Sequence, residues 1–317
     1  MAKLLTVSST PHVRSHETIN GIMRDVFIAL VPATVVGIIN SGAYMPRALI
    51  LTIISIAACI FFEFMWQKLR HEKITVNDMS AAVTGLLLAM NMPAAAPYWM
   101  PIVGSGFAIL ICKQLFGGLG QNFINPALAG RAFLLASYPT LMTNWAGSKF
   151  LDTVSQATPL AQLKEGLGSV TYTTMDAFMG RVPGTIGEVC ALALIAGGVY
   201  LLVKKVITWQ IPVIYIAVVF VLTAVIGRDG GSLPLYEICS GGLMLGAFFM
   251  ATDYVTSPVT PNGQILFAVG CGALTVFIRR WGGYPEGVSY SILIMNLMVP
   301  LIDKYTRPKI FGEVKKA

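Results

Sequence analysis

Apolar residues along this chain come in long runs separated by short polar intervals. That pattern fits neither the period-two alternation of a half-buried strand nor the narrow stripe of a surface helix. Ten stretches stand out, at residues 25–41, 47–66, 80–92, 98–115, 123–138, 186–203, 209–226, 241–252, 264–279 and 288–303. Most approach the roughly 20 residues that a helix needs to cross about 30 Å of hydrocarbon. Two of them, "SAAVTGLLLAMNM" and "GGLMLGAFFMAT", are too short for that at about 1.5 Å per residue. They are expected to be broken helices, with the irregular backbone after each hidden inside the protein.

A coarse repeat organises the runs. The segments from Gly85 to Gly118 and from Gly242 to Gly283 share one order of features: short apolar helix, proline-containing loop, full span, basic residues, aromatic-Gly-Gly. The expected fold is all-α and polytopic, with about ten transmembrane segments in two inverted five-span halves. Residues 1–138 would form the first half, 139–185 an outward loop, and 186–317 the second half with its tail.

Composition agrees with a membrane chain. It is 55% hydrophobic and only 12% charged, with a mean hydropathy of +0.71, where soluble domains carry about 25% charged residues. The net charge of +7 could suggest nucleic acid, but the lysines and arginines are scattered through short loops and the tail. With both termini inside, the inner segments hold twice as many of them as the outer ones, as positive-inside bias requires. The start of the chain shows no compact apolar core with a small-residue cleavage site, so the first span is expected to do its own targeting.

The five cysteines occur singly, without the pairing that zinc or iron–sulfur ligation needs, and four sit in apolar runs as small buried thiols. Met90, Met92, Met244 and Met250 line the short helices and suit gap filling. Tyr98, Trp99 and Trp145 read as interface anchors, and His12, His16 and His71 lie outside the spans.

Candidate chemistry lies in the polar intervals. In "DTVSQATPL", Asp152, Ser155, Ala157 and Thr158 form a compact pattern, and Thr158 can cap a helix beginning at Pro159. Asn122 and Asn125 precede "PALAGRAF" and also read as caps. Asp253 follows one short helix and needs a partner, which could be a polar ligand, a cation or Arg131. Arg131 reads as an interior pairing residue or as a binder of a polar cofactor edge.

The hydroxyl pattern, together with "FGGLGQNFINPALAGRAF" at 116–133 and "FFMATDYVTSPVTPNG" at 248–263, resembles the RnfD and NqrB family over essentially the whole chain. Those proteins are flavin-carrying membrane subunits of the Rnf complex and of the sodium-translocating NADH:quinone reductase; length and a short N-terminal segment favour the Rnf branch. The resemblance implies FMN joined to Thr158 by a phosphoester made by a separate flavin transferase, with Asp152, Ser155 and Ala157 as the recognition element. Gln156 departs from the glycine that the family often has there. It further implies a second, noncovalent flavin such as riboflavin near Asn122, Asn125, Arg131 and Asp253.

By the same resemblance the chain is an electron-transfer subunit of a bacterial cytoplasmic-membrane ferredoxin:NAD oxidoreductase coupled to sodium or proton movement, and is inactive alone. The chain has no dinucleotide fingerprint and no cluster motif, so partners must hold those centres, including an FMN-bearing subunit and iron–sulfur subunits. No nucleic acid is expected. The competing reading is a secondary transporter or channel of inverted-repeat architecture without a redox cofactor, because fold alone does not choose function.

Overall fold

The computed structural model describes residues 17–145, 158–164, 172–227 and 233–308. Asp152, Ser155 and Ala157 lie outside the described residues. Among the described residues all regular structure is helical, in the order α1 Ile19–Asn40, α2 Met45–Leu69, α3 Ser80–Met90, α4 Trp99–Gly106, α5 Pro126–Ser137, α6 Pro139–Met142 and α7 Pro159–Lys164. There follow α8 Thr174–Met179, α9 Ala191–Val203, α10 Gln210–Ile226, α11 Pro234–Cys239, α12 Leu243–Leu245, α13 Pro261–Trp281 and α14 Val288–Thr306. A π-helical turn, Phe107–Ile111, prolongs α4, and a second, Gly246–Met250, prolongs α12.

The all-α expectation holds, but the span count and the two inverted five-span halves do not. Four helices among the described residues are long and apolar enough to cross a membrane: Ile19–Asn40, Gly42–Leu69, Trp99–Phe116 and Pro261–Trp281. Most of the other apolar runs give shorter pieces. α5 has 12 residues and α9 has 13, each about 20 Å at a rise of about 1.5 Å per residue. The run at 241–252 yields one three-residue helix and a π turn. Hydropathy averages composition over a window, whereas helix length is set by where caps, glycines and prolines fall.

The breaks are built into the interior. α3 stops at Asn91, two residues before Pro93, and its last carbonyls find partners from a distant segment: Gly187 N donates to Met90 O at 2.7 Å, and Ile186 N to Met92 O at 3.0 Å. Buried helix ends need such partners, because an unpaired carbonyl away from water is expensive. Gly187 is required at this crossing, since a Cβ there would lie 2.3 Å from Met90 Cβ. Residues 186–188 are thereby fixed against the end of α3. Around this centre α2 packs on α3, α1 on α9, α10 on α13, and α14 on α13 and α5.

The methionines fill this region as the sequence suggests: Met90, Met92, Met244 and Met250 are all buried. Tyr98 and Trp99 are exposed. Cys59, Cys112, Cys190 and Cys271 are buried free thiols.

Candidate functional site

The two short helices run out beside one another. Asn91, just past α3, donates through Nδ2 to Leu87 O at 2.6 Å and reaches Met250 Sδ at 3.9 Å. Asn125, just before α5, donates through Nδ2 to Met250 O at 3.3 Å. Its Oδ1 accepts from Ala127 N and Leu128 N, so Asn125 is the cap that its sequence position suggested. One amide thus caps α5 and also satisfies the carbonyl end of the second π turn.

On one side of this crossing lies a charged cluster. Arg131, on α5, donates through Nη1 to Asn91 Oδ1 at 2.9 Å, Glu188 Oε1 at 3.0 Å and Ser289 Oγ at 2.7 Å, and through Nη2 to Glu286 Oε2. Arg131 and Glu188 are buried and Glu286 nearly so. Burial first, and then the Glu286 carboxylate, push the Glu188 carboxyl up to about 8, against the opposing pull of Arg131. Two carboxylates therefore converge on one guanidinium. A cleft of about 520 Å³, counting the part open to solvent, lies beside them, lined by Arg131, Glu286, Trp145, Tyr284 and Tyr290, the two tyrosines stacked with centroids 4.9 Å apart.

Thr158 stands next to this cleft. It borders a smaller hollow of about 300 Å³ with Glu188, Gly241 and Glu286, and Glu286 also lines the aromatic cleft. Thr158 Oγ1 accepts from Ala161 N at 3.3 Å and thus caps α7. The hydroxyl has the chemistry that a phosphoester requires, and the aromatic walls beyond Glu286 suit a planar ring.

On the other side of the crossing a larger cleft, about 770 Å³, is lined by Asn122, Asn125, Asp253, Thr252, Tyr254 and Lys113 among apolar walls from Leu87, Leu201 and Phe248. A few polar groups in an apolar cleft are what an organic cofactor needs for orientation and affinity. Asn122 Nδ2 is bound to Ile124 O at 3.1 Å. Asp253 accepts from Thr256 Oγ1 at 3.1 Å, and burial raises its carboxyl above the ordinary range against the effect of that bond and of Lys113. Lys113 Nζ is held by both Glu63 oxygens at 2.9 Å and by Ser80 Oγ at 2.6 Å.

Of the residues that the sequence singled out, Asn122, Asn125 and Asp253 meet in the larger cleft, while Arg131 lines the aromatic one. Arg131 is not the partner of Asp253; its charge is taken by Glu188 and Glu286. Asn91, Glu63, Glu188 and Glu286 were not anticipated. Glutamates within or beside apolar runs are the signal that could have marked three of them. Lys113 and Arg279 are interior residues, and the Arg280 side chain is buried in an ion pair with Glu237, so the positive-inside count included charges that are not in loops.

Together the helices and the two clefts, joined by buried polar side chains, define a membrane protein that is helical throughout its described residues and built around interior polar sites. The chain belongs to the NQR2, RnfD, RnfE family, whose pattern matches residues 6–312, and is of the Rnf-type membrane oxidoreductase group. It is 52% identical over 313 residues to a subunit of the Na(+)-translocating ferredoxin:NAD(+) oxidoreductase complex of Acetobacterium woodii, covering 98% of this chain and 96% of that one. It is 47% identical to a subunit of the proton-translocating ferredoxin:NAD(+) oxidoreductase complex of Clostridium ljungdahlii, with 98% and 96% covered. It is also 36% identical to a subunit of the ion-translocating oxidoreductase complex of Ectopseudomonas mendocina, with 97% and 96% covered.

Proposed function

We propose that this chain is an electron-transfer subunit of an ion-translocating ferredoxin:NAD oxidoreductase, carrying FMN esterified to Thr158 and a second, noncovalent flavin between Asn122, Asn125 and Asp253. The observation that supports this most is the buried polar chain between the two clefts: Glu286 and Glu188, Arg131, Asn91, the end of the π turn at Met250, and Asn125. Bound flavins would supply one- and two-electron chemistry. The protein's own part is position and electrostatics. Arg131 fixes the acidic wall of the aromatic cleft, Asn91 ties that wall to the helix crossing, and Asn125 carries the tie to the second cleft.

In this reading both termini face the cytoplasm and the Thr158 segment lies on the outer side of the membrane. Dinucleotide and iron–sulfur centres reside on partner subunits, since the sequence lacks their motifs. The relatives named for sodium and for proton translocation are similarly close, and the coupling ion is one of these two.

The test is intact mass and in-gel flavin fluorescence of the denatured chain after coexpression with a flavin transferase, beside Thr158→Val. An added mass of one FMN less water, absent from the variant, supports the reading. An unmodified wild-type chain with an active transferase overturns it and favours a transporter without redox cofactor.

A further inference from the structure

The hydroxyl to be modified is sealed. Thr158 is 6% exposed, and Pro159, Leu160 and Gln162 beside it are buried. α7 is seated on the cluster of Val182, Val189 and Tyr236, against which Leu163 packs, and on Gly241, over which Leu160 Cδ1 lies so close that a Cβ there would come within 2.6 Å. At its far end Lys164 Nζ donates to Gly282 O. Thr158 Oγ1 is occupied as the cap of this same helix, and the small hollow beside it is walled by two carboxylates, Glu188 and Glu286.

Phosphoester formation makes demands that this seat does not meet. The Thr158 Oγ–P bond forms as the bond from that phosphorus to the nucleotide half of a flavin dinucleotide breaks. Nucleoside monophosphate leaves, the hydroxyl proton passes to a base of the transferase, and nothing is oxidised or reduced. Attacking and leaving oxygens must lie roughly in line across the phosphorus, so the hydroxyl needs open space on the donor's side as well as a base. A second protein must supply both. In the seated segment the hydroxyl is covered and held as a helix cap, so it has no open approach for a donor phosphorus.

Resting on the reading of Thr158 as flavin acceptor, we infer that flavin transfer acts on the unseated segment, before Thr158–Lys164 packs against residues 182–189 and Gly241, and that seating closes the site to the transferase. Modification is then a step in the maturation of the chain, ahead of the completed fold on this face.

The experiment is cell-free synthesis of the full chain into lipid nanodiscs, with the transferase and flavin dinucleotide present during synthesis or added after folding. Covalent fluorescence and intact mass are followed over time. Near-complete modification in the first arm and slow modification in the second is expected. Leu160→Ala, which removes the side chain over Gly241, should speed the second arm about tenfold or more and leave the first unchanged. A thermal melt of this variant checks that it still folds. Equal wild-type rates in the two arms overturn the inference while leaving Thr158 as acceptor. No modification in either arm, with the transferase active on a known acceptor protein, overturns the acceptor reading itself.

Discussion

Asn91 Oδ1 accepts from Arg131 Nη1 at 2.9 Å, a bond that ties the broken end of α3 to the one guanidinium shared by Glu188 and Glu286. The residue that ends a short helix is therefore also the residue that orients the charged cluster. Interruption of the helix and construction of the polar interior are one event in the sequence.

Removing the positive charge from this cluster should be severe. Arg131→Leu leaves two carboxylates facing each other in the interior and should destabilise by about 3–5 kcal/mol. Adding Glu188→Gln should recover part of that loss, because the second change removes one of the stranded charges. Thermal melts of the single and double variants in one detergent check this; equal melting temperatures would contradict the coupling.

The same cluster predicts a pH dependence. Glu188 faces Arg131 and Glu286, with Arg279 nearby, and its folded-state carboxyl is raised. An acid with a raised folded pKa binds its proton more tightly when folded, so its contribution to stability is fully present below the unfolded value of about 4.3. It is lost as pH rises from there through about 8. Thermal stability followed across that range should fall with pH in the wild type and fall less in Glu188→Gln.

Asn125 has two jobs that one substitution removes together. Asn125→Ala should cost about 1 kcal/mol through the lost cap of α5. On the proposed reading it should also release the noncovalent flavin while sparing the covalent one. Acid extraction followed by chromatography separates the two pools. Retention of both flavins would remove Asn125 from the larger cleft's chemistry.

At Thr158 the structural and chemical roles can be split. Thr158→Val loses the cap of α7, about 0.5–2 kcal/mol, and, on the proposed reading, the covalent flavin with it. Thr158→Ser keeps a capping hydroxyl and should keep stability near wild type. Melting curves read the first role and intact mass the second.

Gly187→Ala should disturb the crossing of segment 186–188 with α3. The new methyl would come within 2.3 Å of Met90 Cβ, which backbone hydrogen bonds on both sides prevent from moving away. Overpacking of this kind costs about 1–3 kcal/mol. A lower melting temperature together with a shifted Glu188 titration would show that this contact also positions the cluster.

Much of the site was legible along the chain because caps are local. Asn125 before Pro126 and Thr158 before Pro159 carry their capping chemistry within four residues, and both cap as their sequence positions suggest. The membrane character follows from composition alone. What composition could not supply was the length of each helix: apolar runs continue through Asn91, Pro93 and the glycines around 241–246, where the helices themselves stop.

An all-helical membrane chain, two interrupted helices, and the hydroxyl and amide residues at their edges can all be read in the order of the residues, since each depends on hydrophobicity or on partners a turn away. Three relationships exist only in the folded chain. Arg131 belongs to Glu188 and Glu286 and not to Asp253, the two clefts meet through Asn91 and Asn125, and Thr158 is covered. The polar pairings among them join residues 40 to 158 positions apart. Low-dielectric packing selects such partners by proximity in three dimensions, for which no spacing along the chain gives a rule.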